Sequence, residues 1–179
     1  MTLYIDGSIR IVGDIHEMVT KALQLEGDIF LYDHHERNCI YSEAAVCAHC
    51  SHDWIWTITR QMRRYSRDSY PVNNGLYEAN VILRRNTDRV SKIMEYWWIE
   101  YSQGAKRDQL SLTYVCWKLG VSISSMGKSD HRFTHRYLRL VNHPQRRGLL
   151  FLIRTCINRS VAAIVPYNRL FLIKRLVDK

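Results

Sequence analysis

The chain has 179 residues and a mass of 21.3 kDa, with 46% hydrophobic and 24% charged residues. That is enough for one full-sized core and too little for two, and it excludes a disordered chain, a collagen-like repeat and a small disulfide-stapled scaffold. The net charge of +9 is uneven: residues 1–130 carry 15 basic and 16 acidic side chains, whereas residues 131–179 carry 11 basic ones against Asp178 alone, so a partner selected by charge is expected at the C-terminal part.

Cys39, Cys47, Cys50, Cys116 and Cys156 are an odd number, and no signal-peptide pattern precedes them. The expectation is a reducing, cytoplasmic setting. Arg154, Arg159, Arg169 and Lys174 interrupt the apolar C-terminal stretch, so it is not expected to cross a bilayer, although it can lie on one.

Along the chain, Leu3-Tyr4-Ile5 reads as a short strand that ends at the Asp6-Gly7 turn. Asp14 with Glu17 three residues later has capping-box spacing and predicts a helix through Leu23 and Leu25, closed by Gly27-Asp28. Ile29 to Tyr32 predicts a buried strand, followed by the polar cluster Asp33-His34-His35-Glu36-Arg37. From 41 to 65 the spacing predicts helices, with Ser42 as an N-cap and Trp54, Ile55, Ile58, Met62 and Tyr65 on one face. Pro71 and Asn74-Gly75 mark a loop. Asn80 to Arg84 predicts another strand, Thr87 to Trp98 a helix, and Asp108 the start of a further helix that Gly120 ends. Alternating strands and helices make the expected class α/β.

Cys47-x-x-Cys50 with His49 and His52 has the form of a zinc half-site, but no second pair stands at suitable spacing. Reduced, packed cysteines beside solvent-facing histidines are the expectation.

Taken in order, Tyr4-Ile5-Asp6-Gly7-Ser8-Ile9, His35, Arg37-Asn38-Cys39-Ile40-Tyr41-Ser42-Glu43-Ala44, Gln61, Tyr65, Gly75-Leu76-Tyr77-Glu78, Val81 to Asn86, Trp97-Trp98 and Arg107-Asp108-Gln109-Leu110-Ser111 resemble a glycosyltransferase-like family of the plant mucilage hexosyltransferase type. The resemblance covers residues 4–120. It implies a GT-A-like, Rossmann-like mixed sheet flanked by helices, a hexose transferred from a nucleotide-sugar donor to a surface-glycan or glycoconjugate acceptor, and a divalent cation, Mn2+ or Mg2+. GT-A domains place a nucleotide-binding portion of about 80 to 100 residues before the metal-binding acid. Asp6 stands at the sixth position, so the expectation is that part of that portion is missing or that a partner chain completes the donor site.

The chemistry accounts for the residue types. Charge grows on a nucleoside diphosphate as the glycosidic bond breaks, and a hard cation held by carboxylate oxygen offsets it. Asp6, at a strand end, is expected to contact that cation or the donor ribose, or else simply to form a turn. Ser8 stands where the GT-A pattern has a second acid, and a hydroxyl is the weaker ligand. The resemblance assigns Asp108 to the acceptor hydroxyl as base or orienting group, with Arg107 and Gln109 as substrate contacts. The local reading of Asp108 alone is a helix cap. Arg37 and Arg84 suit a diphosphate or internal pairing with Glu43 and Glu78. His35, Glu43 and Glu78 are expected as further substrate contacts, with Glu43 alternatively part of a capping arrangement. Trp97 and Trp98 point to different sides of one helix, so one is expected in the core and the other is available to stack on a sugar. His131 and His135 share a face if 129–140 is helical, and either would complete the metal site.

The expected organisation is a transferase domain at 1–147 and a basic amphipathic tail at 148–179. That tail would either lie on an anionic membrane surface, making the protein peripheral there, or pack on the domain with its arginines in solvent. Two other readings stand beside transfer: a basic module gripping nucleic acid, which does not explain the order of the motifs, and a catalytically inactive relative.

Overall fold

The computed structural model describes residues 1–128, 136–141 and 148–173. Its centre is a four-stranded sheet of β1 (Thr2–Ile5), β3 (Ile29–Asp33), β4 (Tyr77–Arg84) and β5 (Ile123–Lys128), in the order β1-β4-β3-β5. Strand β4 runs antiparallel to both neighbours, whereas β3 and β5 are parallel. A separate antiparallel pair joins β2 (Ile9–Ile11) to β6 (Leu138–Leu140).

The apolar run Ile29 to Tyr32 forms an interior strand, both of whose faces are covered. Ile29 and Leu31 face a large cluster built from α2 (Ile40–His49), α3 (Ile55–Arg67), α4 (Asp88–Gln103) and α5 (Asp108–Lys118). Phe30 and Tyr32 face the opposite side, where Met18 and Ala22 of α1 (Ile15–Leu23) and Leu138 of β6 close the layer. The molecule is therefore α/β with a mixed sheet flanked by helices, consistent with a GT-A-like fold.

Asp14 caps α1 through the His16 amide, and Thr87 caps α4 through Val90, as their side chains predict. Ser42 does not cap α2. That helix begins at Ile40, with Cys39 at the cap position, because Ile40 and Tyr41 are both fully buried and their burial outweighs a local capping preference. In the 129–140 segment, Leu138–Leu140 is a strand paired with β2, while His131 and His135 lie outside the described residues.

The C-terminal segment forms α6 (Leu149–Ile164) and α7 (Tyr167–Phe171). Phe171 and Leu170 are buried in the main core, and Val161, Ala162 and Val165 pack against it. The first turns of α6 leave Leu149, Leu150, Leu152 and Ile153 exposed. Among the described residues, no helix is long and apolar enough to cross a membrane.

Candidate functional site

Strands β1 and β3 both run antiparallel to β4, so their carboxyl ends lie at the same edge of the sheet. In open α/β sheets, ligands bind beyond that edge. Asp6 follows β1, and its amide donates to Asn80 O of β4. His34 and His35 follow β3. Glu78 lies opposite Tyr32 at the start of β4, next to a register shift in which two residues along β3 are matched by five along β4. Such irregularities re-aim side chains, and here Glu78 is delivered to the sheet edge. Helix α2 adds Glu43, and the start of α5 adds Arg107, Asp108 and Gln109.

These groups line one cleft of about 650 Å³. It brings together Asp6, Ser8, His35, Arg37, Glu43, Glu78, Arg107, Asp108 and Gln109, which are nine of the residues singled out from the sequence. Arg84 is not among them; it lines an adjoining groove that shares Asp6 and Asp108 with the cleft.

Two carboxylates organise the floor. Glu43 is 2% exposed and accepts from Arg37 Nε at 2.7 Å; Arg107 Nη2 lies 3.7 Å from it, and the Cys47 thiol donates to it at 3.4 Å. Arg37 also pairs with Glu36 at 2.7 Å, so its reading as an internal partner of Glu43 holds. Glu78 accepts from Gln109 Nε2 at 2.7 Å and lies 3.4 Å from His35 Nδ1. Arg107 Nη2 in turn donates to Gln109 Oε1 at 3.0 Å. One chain of polar contacts thus runs from α2 through the start of α5 to β4.

Asp6 Oδ1 accepts from both the amide of Ser8 at 2.7 Å and its hydroxyl at 2.5 Å, so Ser8 fixes the orientation of Asp6. Asp108 occupies the first turn of α5 and accepts from the Gln109 amide at 3.0 Å while remaining half-buried on the cleft wall.

Sequence reasoning placed His34 in the polar cluster but gave it no role. It is 7% exposed, and its Nδ1 accepts the amides of Glu36 and Arg37 at 3.1 and 3.2 Å, which shapes the turn into α2. Burial pushes its pKa down to about 4, the attraction of Glu43 opposes this, and Arg37 adds to the lowering. The neutral ring therefore carries its proton on Nε2, which faces Glu43 at 3.7 Å and Glu78 at 4.0 Å. The 3.3 Å approach of Arg37 Nη2 to that nitrogen is then a contact between two donors and not a hydrogen bond. The sequence pattern marks Asn80 only as the start of a strand. Its Oδ1 is buried in the cleft wall and finds no hydrogen-bond partner among the described residues, nor does Arg107 Nε, and each is suited to a ligand's polar groups.

Five carboxylates (Asp6, Glu36, Glu43, Glu78, Asp108) and two guanidiniums line the cleft. An anionic ligand entering that surplus would need a cation beside it. His34, His35 and Glu78 offer ligand atoms within 4.8 Å of one another. Because Nδ1 of His34 is committed to two amides, the donors that fit a divalent cation are His35 and Glu78, with Asp6 in the same cleft: oxygen and imidazole ligands of the kind Mn2+ accepts.

The two cysteines of the zinc half-site sit in different surroundings: Cys47 is buried against Glu43 while Cys50 is exposed. Trp97 packs against the core and Trp98 is 68% exposed, the division expected of adjacent helical residues.

A family model described as TOD1/MUCI70, glycosyltransferase-like domain matches residues 1–136. No curated protein and no solved structure matches the chain.

Proposed function

Because the chain belongs to the TOD1/MUCI70 glycosyltransferase-like domain family, we propose that it transfers a hexose from a nucleotide-sugar donor to a hydroxyl of a surface-glycan or glycoconjugate acceptor, with a divalent cation in the cleft. The observation that carries this reading is the convergence of Asp6, Glu78, Arg37, Arg107 and Asp108, which come from four separate parts of the chain, in one cleft at the carboxyl ends of β1 and β3.

Asp6, His35 and Glu78 would hold the cation, and its charge would offset that of the departing nucleoside diphosphate. Arg37 and Arg107, kept in place by Glu43, present guanidinium donors to the donor's phosphates. Gln109 and Asn80 bond sugar hydroxyls. Asp108 takes the proton of the acceptor hydroxyl as its oxygen bonds to the anomeric carbon and the bond from that carbon to the diphosphate oxygen breaks. The C-terminal helices supply the membrane-facing part of the reading: the exposed leucines of α6 beside Arg154 and Arg159 support peripheral attachment to an anionic surface where acceptors are assembled.

Calorimetric titration of the full chain with UDP- and GDP-sugars, with and without Mn2+, tests this. Metal-dependent binding that Asp6→Asn abolishes is expected. Asp108→Asn should keep donor binding and lose about 10²- to 10⁴-fold in transfer rate. Undiminished transfer by Asp108→Asn, or donor binding indifferent to Asp6→Asn, would overturn the assignment.

A further inference from the structure

A second groove, of about 430 Å³, shares Asp6 and Asp108 with the polar cleft. Its lining is unlike that of its neighbour: Tyr4 of β1, Ile82 and Arg84 of β4, and Met94, Trp97, Trp98 and Tyr101 of α4. Trp97 is fixed from behind, where its indole N–H donates to Ser111 Oγ at 2.9 Å and that hydroxyl donates to Asp108 O at 3.1 Å. The aromatic wall is thus tied to the turn that carries Asp108. Trp98 stacks on Tyr101 with ring centroids 6.0 Å apart, and Tyr4 is 45% exposed. These are flat amphipathic surfaces held open to solvent in a groove, and their hydrophobic contacts within the protein do not require that exposure.

Arg84 marks the distal end. Opposite it on β1 stands Thr2, and Asp6 lies four residues further along that strand direction, about 13 Å at 3.3 Å per residue. The neighbouring Arg85 donates to Gly27 O and lies near Asp28, whereas Arg84 forms no ion pair among the described residues. A guanidinium presented in this way at the end of an aromatic groove is suited to a carboxylate or phosphate.

We propose that this groove is the acceptor subsite and that the acceptor is an anionic saccharide: a ring face packs on Trp98 and Tyr101, an acidic substituent pairs with Arg84, and the reactive hydroxyl reaches Asp108. The inference rests on the glycosyl-transfer reading, because it takes the shared Asp6–Asp108 wall as the boundary between donor and acceptor. It goes beyond that reading in naming the chemical class of the acceptor and the residues that select it. The acidic group is a hexuronate carboxylate or a sugar phosphate, which share the chemistry Arg84 recognises.

The test uses the full chain and tryptophan fluorescence, titrated with short saccharides ending in a hexuronic acid, their phosphorylated counterparts and their neutral counterparts, while nucleotide-sugar binding is measured separately by calorimetry. One acidic series is expected to bind about tenfold tighter than the neutral one, and which of the two does so identifies the source of the charge. Arg84→Gln should erase that preference, and Trp98→Ala should weaken acidic and neutral saccharides alike by about tenfold, both with donor binding unchanged. Intact donor binding with no preference for acidic saccharides, or a preference that survives Arg84→Gln, overturns the acceptor assignment and leaves the transfer reading standing. Loss of donor binding in the unmodified chain removes the transfer reading itself, and this inference with it.

Discussion

At the residue scale, His34 is set by two opposing demands. Its Nδ1 is needed as an acceptor for the turn into α2, and its ring is buried beside a carboxylate that would favour the protonated form. Burial prevails and holds the pKa at about 4 against an ordinary 6.5. The unfolded chain then binds more protons than the folded one between these values. The stability contributed by the neutral ring is complete above pH 6.5 and is lost as the pH falls to about 4, a change of about 3 kcal/mol. Urea unfolding across that range should show a fall in stability that His34→Gln reduces; identical pH profiles for the two proteins would refute the role. The same polar floor predicts thiol reactivity. Burial pushes Cys47 and Cys116 up to about 12, with Glu43 adding to the effect at Cys47, whereas Cys50 and Cys156 are exposed. A thiol reagent at pH 8 should label Cys50 and Cys156 rapidly in the native protein and the three buried cysteines only after denaturation.

At the scale of elements, the segment that carries Asp108 is positioned from two sides. Gln61 of α3 accepts the Ala105 amide at 2.9 Å and donates to Tyr65 OH, which donates to Glu100 of α4. Arg64 pairs with the same carboxylate through both of its terminal nitrogens. A Cβ on Gly104 would lie 2.7 Å from the Gln61 amide, so a larger residue there would push that amide off its bonds to Ala105 and Tyr65. From the other side, Asp53 Oδ2 accepts the Lys106 amide at 2.9 Å. The loop bearing Asp53 is tied to the C-terminal helix by Asn158, which is fully buried and bonds Ile55 N, Ala48 O and Asp53 O. Asn158→Ala would strip Ile55 N and Asp53 O of this partner and leave Ala48 O with the Ser51 amide, and a loss of about 2 kcal/mol is expected in chemical denaturation. Since the same loop holds Lys106, the variant should also lose transfer activity at temperatures where it is still folded. A loss below 1 kcal/mol would show that water or a neighbouring group replaces the amide.

At the scale of the whole molecule, charge is distributed by helix rather than by position in the chain. Helices α3, α6 and α7 carry Arg60, Arg63, Arg64, Arg67, Arg154, Arg159 and Arg169 and contain no acidic residue. Arg60, Arg63 and Arg67 line a groove with Trp56, Val161 and Leu170, so arginines from the first half of the chain lie beside the C-terminal helices. With the exposed leucines of α6, this arrangement predicts binding to anionic phosphatidylserine vesicles but not to neutral ones. The binding should weaken as salt is raised, and Leu149→Ser/Leu150→Ser should reduce it. Equal affinity for a single-stranded oligonucleotide and for the vesicles, unaffected by the leucine changes, would instead favour phosphate recognition without a membrane.

The elements whose own residues dictate them were legible without coordinates. The unbroken apolar run of β3, the capping side chain of Asp14 and the periodicity of α3 and α4 each act over a few residues, as do the ordered motifs that carry the family resemblance. Nine of the residues that line the cleft stood out in the sequence as types suited to charged sugars and phosphates, whereas His34 and Asn80 did not. What only the tertiary structure decided depends on contacts distant in sequence. Ser42 lost the cap because Ile40 and Tyr41 are drawn into the core. Leu138–Leu140 became a strand because Ile9–Ile11 is there to pair with it. Arg37 and Arg84, equivalent as sequence, parted company: one is locked onto Glu43 in the cleft and the other stands at the end of an aromatic groove. A side chain's chemistry belongs to its residue, but its partner, and hence its role, is set by which strands and helices meet, through packing and hydrogen bonds that no local pattern encodes.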